Sequence, residues 1–287
     1  MIKNFALGSV ILLTMAGRSA QAGPTNFVIG YCTTDFPAAK AAGFDFAEVR
    51  IREFARLSDA DFTKFAAGCR ATGLPLTTGY WFLPNDLKVV GPAVPTNEVV
   101  SYVQKALDRC QTLGVKTVVW GSGDSRRAPA GFSQEEAFQQ LVGLGKRLAP
   151  EAQKRGITLV AEPLRKAESN TINSASEALQ WVEAVGHPNF QMLVDIYHMN
   201  EEKEDAGIIV KAGSHITHVH MSNPHERVFP LRAEEFDYQP FFQALAKIGY
   251  RGTISIEAKT ANLSVEGPEA VAFIRQSMEA ASDRVAK

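Results

Sequence analysis

The chain has 287 residues, of which 45% are apolar or aromatic and 21% charged, with 22 glycines and 14 prolines. Such a composition excludes a disordered, collagenous or coiled-coil chain. Lys and Arg number 30 against 31 Asp and Glu, a net charge of −1, so there is no basic surplus with which to grip a nucleic-acid backbone.

The chain opens with Lys3, an apolar run over residues 5–16 and then Ala20-Gln21-Ala22. A basic start, a short apolar stretch and an A-x-A site are the parts of a secretory signal, and the run is too short to anchor in a bilayer. We expect residues 1–22 to be a signal peptide, removed on export to the periplasm or the medium. Residues 23–287 then form one domain, with no membrane contact once the signal is gone.

Apolar runs rich in Val, Ile, Thr and aromatics follow at 27–32, 46–51, 75–82, 117–120, 157–161, 190–194, 216–219 and 253–256. Each reads as a buried strand. Between them apolar residues recur three and four apart, as in Val99, Val103, Ala106, Leu107, Cys110 and Leu113, the stripe of a helix with one buried face. Ser133 with Glu136 and Ser174 with Glu177 mark helix starts, and Gly73, Gly114, Gly156, Gly186 and Gly249 mark ends. Eight strand–helix units of about 33 residues predict a single (β/α)8 barrel. A doubly wound sheet would want a phosphate-binding glycine turn after its first strand, and Tyr31-Cys32-Thr33-Thr34 is not one. Cys32, Cys69 and Cys110 are irregularly spaced, so buried free thiols are expected rather than a disulfide framework or a zinc ribbon.

A barrel of this kind reacts at the C-terminal ends of its strands. There the fifth run is followed by Glu162, the sixth by Asp195, the seventh by His220 and the eighth by Glu257. Three carboxylates and an imidazole converging there would repel unless a cation neutralised them. Hard oxygens with one nitrogen suit one divalent ion, Mn²⁺, Co²⁺ or Mg²⁺ better than Zn²⁺. His218, two residues before His220, points to the same side one layer deeper and reads as a satisfied core histidine. His198, Glu168 and Arg227 stand where loops start over the mouth and could hold sugar hydroxyls, although each also fits an ordinary loop residue. Tyr31, Tyr80, Trp81 and Trp120 at strand ends suit sugar stacking, and core packing explains them nearly as well. His187, His215 and His225 read as ordinary surface residues.

These residues carry a resemblance. Ala161-Glu162-Pro163-Leu164 with Glu168 and Asn170, then Asp195-Ile196-Tyr197-His198-Met199-Asn200, His218-Val219-His220 and Ile256-Glu257 resemble the xylose isomerase-like barrels, in particular the D-tagatose/D-psicose 3-epimerases. The likeness reaches strand four through Val119-Trp120-Gly121-Ser122-Gly123 with Arg126, Arg127 and Pro129. It implies one divalent metal on Glu162, Asp195, His220 and Glu257, an acid/base role for Glu162 and Glu257, and substrate contacts from His198, Glu168 and Arg227. Arg165-Lys166 and Asn223-Pro224 depart from the family's usual Asn-Arg and from its acidic residue after the seventh-strand His.

The resulting expectation is a metal-dependent isomerase or epimerase of a free keto-sugar or related polyol, working through an enediolate. A lyase or dehydratase of keto-sugars or keto-glycosides shares the first proton transfer. An exported sugar-binding protein would hold ligand without exchanging a carbon-bound proton. An apurinic-site endonuclease would need histidines at the second to fourth strand ends, which offer Glu48, Tyr80-Trp81 and Trp120 instead. The expected partner is a small sugar, and a homo-oligomer stays open.

Overall fold

The computed structural model describes residues 27–285, so the signal-peptide reading lies outside the described residues. Eight parallel strands, β1 (Ile29–Cys32), β2 (Phe46–Arg50), β3 (Leu76–Tyr80), β4 (Thr117–Trp120), β5 (Thr158–Ala161), β6 (Phe190–Asp195), β7 (Ile216–Met221) and β8 (Thr253–Ile256), close in sequence order into one barrel. Around it run α1 (Phe36–Ala41), α2 (Ile51–Phe54), α3 (Asp59–Thr72), α4 (Thr96–Leu113), α5 (Gln134–Gln153), α6 (Ala175–Val185), α7 (Ile196–Glu201), α8 (Gly207–Ala212), α9 (Gln239–Lys247) and α10 (Leu263–Val285). This is the single (β/α)8 barrel that the alternation predicts. Among the described residues no helix is long and apolar enough to cross a membrane.

The local signals act as read. Ser133 and Ser174 accept hydrogen bonds from the backbone N–H of Glu136 and Glu177, and glycines in the left-handed conformation end α3, α4 and α6. The three cysteines are buried and free. Strands β6 and β7 run further than their apolar patterns, to Asp195 and Met221, because Asp195 and His220 are ladder partners across β6 and β7. Backbone pairing is indifferent to the polar side chain it carries, so both site residues lie within strands rather than after them.

Period-2 alternation divides the strand side chains between two environments. Cys32, Tyr80, Val119, Val160 and Leu193 pack together inside the barrel, while Val118, Trp120, Leu159, Ala161, Phe190 and Val194 join the larger core between strands and helices. Below Glu48 in the interior lies the ring of Phe46, opposite Gly30 across β1 and β2. A Cβ on Gly30 would strike that ring.

The same alternation corrects the sugar-stacking reading of Trp120. This residue pairs with Ala161 and faces outward with it, fully buried against Trp181 at 4.9 Å and Phe190 at 6.1 Å between ring centroids. It is a packing residue. Trp120→Ala should therefore cost about 3–5 kcal/mol in urea unfolding, and a loss under about 1 kcal/mol would contradict this placement.

Candidate active site

At the C-terminal mouth a cavity of about 380 Å³ is lined by Glu162, Glu168, His198, Arg227 and Glu257, together with Arg52, Trp81, Asn85, Ser122, Asp124 and Arg127. Asp195 and His220 are buried with them, at 1% and 0% exposure. Glu162 and Glu257 are the first residues beyond β5 and β8, and their N–H groups still donate to Trp120 and Met221 of the neighbouring strands. Backbone pairing thus sets the height at which each carboxylate enters the mouth.

The groups converge tightly. Nδ1 of His220 lies 2.9 Å from Glu162 Oε1 and 3.1 Å from Glu257 Oε2. One guanidinium nitrogen of Arg227 stands 2.6 Å from Glu257 Oε2 and 3.2 Å from Asp195 Oδ2. One ligand atom from each of Glu162, Asp195, His220 and Glu257 lies within 4.8 Å of all the others. That spacing, with three hard carboxylates and one imidazole, fits a single divalent cation. A second grouping, Cys32, Glu48 and His220, fits one less well. Both oxygens of Glu48 are already bonded to imidazoles, and burial with nearby carboxylates pushes the Cys32 thiol up, away from the thiolate a soft metal needs.

Burial and charge act against each other here. Burial pushes the Asp195 carboxyl up to about 7 although Arg227 opposes it, and burial likewise raises Glu162 against the pull of His220. At Glu257 burial is outweighed by Arg227 and His220, which hold the carboxyl at about 2. Burial disfavours a charged His220, but Glu48, Glu162 and Glu257 together lift its pKa well above the ordinary range. His198 goes the other way: burial and then Arg227 keep it neutral. Its Nδ1 accepts the backbone N–H of Arg165 at 3.2 Å, so the proton sits on Nε2, 3.6 Å from Asp195.

The sequence readings are met unevenly. His198, Glu168 and Arg227 all line the cavity, as do the two glutamates. Glu168 receives Arg165 Nε at 2.8 Å, and the Arg227 guanidinium lies over Tyr197 at 4.5 Å. Arg165 and Lys166 pair with Glu201 and Glu202 beside α7 rather than facing the cavity. Asn223 accepts the N–H of His225 and pairs with Val228, closing the loop that carries Arg227. Of the four strand-end aromatics, only Trp81 lines the cavity. Its ring carries the Arg52 guanidinium 3.6 Å from the centroid.

Two features lay beyond the sequence reading. Glu48, fully buried in the middle of β2, bonds both His218 and His220. The sequence places Glu48 at a strand end, whereas β2 continues two residues further to Arg50, and a single acid there has no spacing signal of its own. His218 is a satisfied core histidine, as read, with Glu48 and Thr253 as its partners. The second feature is Gly121, where a Cβ would collide with Glu162 Oε2. The missing side chain leaves room for the carboxylate.

Fold and site together define a sugar-isomerase type of barrel, with its polar groups at the strand ends. A family model described as "Xylose isomerase-like TIM barrel" matches residues 36–281, and the chain belongs to that family. It is 27% identical to the D-psicose 3-epimerase of Ruminiclostridium cellulolyticum over 75% of this chain and 74% of that one. It is 33% identical to an L-ribulose 3-epimerase of a Methylomonas species over 45% of each chain. The crystal structure of D-allulose 3-epimerase from Methylomonas in complex with D-allulose superposes with a TM-score of 0.75 at 22% identity, covering 88% of this chain and 98% of that one.

Gly121 supplies a test of this geometry. A methyl group there must push the Glu162 carboxylate aside, so Gly121→Ala should weaken Mn²⁺ binding by about tenfold or more. Calorimetric titration reads the loss, and unchanged affinity would mean that Glu162 does not need this space.

Proposed function

We propose that the protein is a ketose 3-epimerase-like enzyme that inverts a carbon next to the carbonyl of a free keto-sugar, using one divalent metal. The observation that carries the reading is the approach of Glu162 and Glu257, from strands on either side of β6 and β7, to within 3.1 Å of one nitrogen of His220. Two carboxylates so placed flank the reacting carbon. One takes the proton from the C–H beside the carbonyl, the C–H electrons form the C=C bond of an enediolate, and the other returns a proton to the opposite face. A Mn²⁺, Co²⁺ or Mg²⁺ ion on Glu162, Asp195, His220 and Glu257 would polarise the carbonyl and stabilise negative charge on its oxygen.

The remaining cavity residues bind and orient. The Nε2–H of neutral His198 is a fixed donor for a sugar oxygen, Arg227 offers charged donors, and Glu168 accepts from hydroxyls. Trp81 supplies an apolar wall. The matched relatives are named epimerases, which favours return of the proton over elimination from the same enediolate.

The test is D-fructose with Mn²⁺ in D₂O. The wild type should form the 3-epimer and incorporate deuterium at that carbon. Glu162→Gln and Glu257→Gln should each lose about 10²–10⁴ in turnover. Each should still exchange the proton its remaining carboxylate reaches, one in substrate and the other in product. Normal epimerisation by Glu257→Gln would refute the two-base reading, and a wild type that binds sugar without any exchange would mark a binding protein.

The segment from Lys3 to Ala22 supports export as part of this reading. N-terminal sequencing of the native protein should give a start near Gly23. Native protein that retains residues 1–22 would overturn the assignment to the periplasm or medium.

A further inference from the structure

A chain of buried hydrogen bonds runs behind the candidate metal site without touching the cavity. Thr253 and His218 are ladder partners on β8 and β7, and the threonine hydroxyl lies 2.7 Å from His218 Nδ1. His218 Nε2 is 2.9 Å from Glu48 Oε2, and the other oxygen, Oε1, is 3.2 Å from His220 Nε2. Glu48, His218 and His220 are all fully buried. None of them lines the cavity, so Glu48 meets no substrate.

One arrangement of protons fits these contacts. A carboxylate only accepts, so both imidazoles must present N–H at Nε2 to Glu48. In neutral His218 the Nδ1 is then bare and takes the Thr253 hydroxyl proton. His220 is left with its Nδ1 directed at Glu162 and Glu257. Since each Glu48 oxygen serves a different imidazole, the carboxylate cannot rotate without breaking one of the two bonds.

We propose that Glu48, backed by His218 and Thr253, is the positioning residue that aims His220 Nδ1 into the cluster of carboxylates and so sets the affinity of the metal site. The proposal rests on the metal reading above. It assigns to β2 a part in the site, since its only contribution there is this buried glutamate. A carboxylate behind a ligand imidazole fixes the ring and raises its basicity, and removing such a partner typically weakens metal binding 10–100-fold.

Glu48→Gln isolates the charge. The amide oxygen can accept from His220 and the amide nitrogen can donate to His218, which has a second tautomer to offer, so both contacts survive. Mn²⁺ titration should then show affinity 10–100-fold below wild type, while the melting temperature in chelator stays within a few degrees of it. Thr253→Val should lose affinity in the same direction by a smaller factor. Folded Glu48→Gln with wild-type affinity would overturn the proposal while leaving the metal reading intact, provided Asp195→Asn loses the ion. A wild type that binds no Mn²⁺ would overturn both. Should Glu48→Gln not fold, ¹⁵N-histidine NMR of the wild type loaded with diamagnetic Zn²⁺ decides the matter. His220 should coordinate through Nδ1 and keep its proton on Nε2; coordination through Nε2 would refute the assignment.

Discussion

The interior of this barrel carries more negative charge than a protein interior tolerates unaided. Glu48, Glu162, Asp195 and Glu257 are gathered around one imidazole, and three of them are at most 6% exposed. Taking a carboxylate out of water costs several kcal/mol unless a counter-charge or several donors compensate. Every neighbouring feature answers that requirement. His220 is bonded at both nitrogens, Arg227 stands between Asp195 and Glu257, and His218 closes off the last oxygen of Glu48. Burial raises both carboxyls, and Asp195 near 7 diverges from Glu257 near 2 because Arg227 and His220 both stand close to Glu257. Concentrated negative charge around one nitrogen ligand fits a cation.

Much of this was legible in the sequence because both the fold and the site obey simple periods. Strand–helix alternation counts out the barrel, and a polar residue recurring at the end of each of the last four strands marks the mouth. The one site residue that departs from its expected role, Trp120, obeys the same period. Ala161 faces the helices and Glu162 the mouth, and Trp120 shares the register of Ala161, so alternation alone turns its ring outward. The rule that placed His218 beneath His220 would have excluded Trp120 from the sugar.

Other parts had no such signal. Trp81 lies in a loop, and its aim into the cavity depends on a backbone turn at φ +50°. Arg227 reaches Glu257 only because Glu226 and Arg227 adopt consecutive left-handed conformations, φ +65° and +54°, in a loop held by Asn223, Val228 and Lys259. Glu48 lies within the second apolar run, but its partners lie on β7, some 170 residues away in the chain. Long-range pairing of single residues leaves no local pattern from which to infer it.

Left-handed backbone at non-glycine residues distinguishes the two ends of the barrel. At the N-terminal end, each helix-to-strand return carries one glycine with positive φ, from Gly43 before β2 to Gly249 before β8. Glycine adopts that conformation without steric cost, so those returns are relaxed. Among the described residues, five of the six non-glycine residues with positive φ, Trp81, Ser122, Ile172, Glu226 and Arg227, fall instead in the segments that follow strand ends at the mouth, and the sixth, Lys203, follows α7. Each such residue costs on the order of 1–3 kcal/mol and persists only where its surroundings over-determine it. At Arg227 the surroundings are the carboxylates themselves: the guanidinium bonds that relieve buried charge also hold the loop in its strained form. The electrostatic demand of the cluster and the shape of its rim are thus one problem with one solution, in which the barrel's relaxed end supplies the stability that its strained end uses.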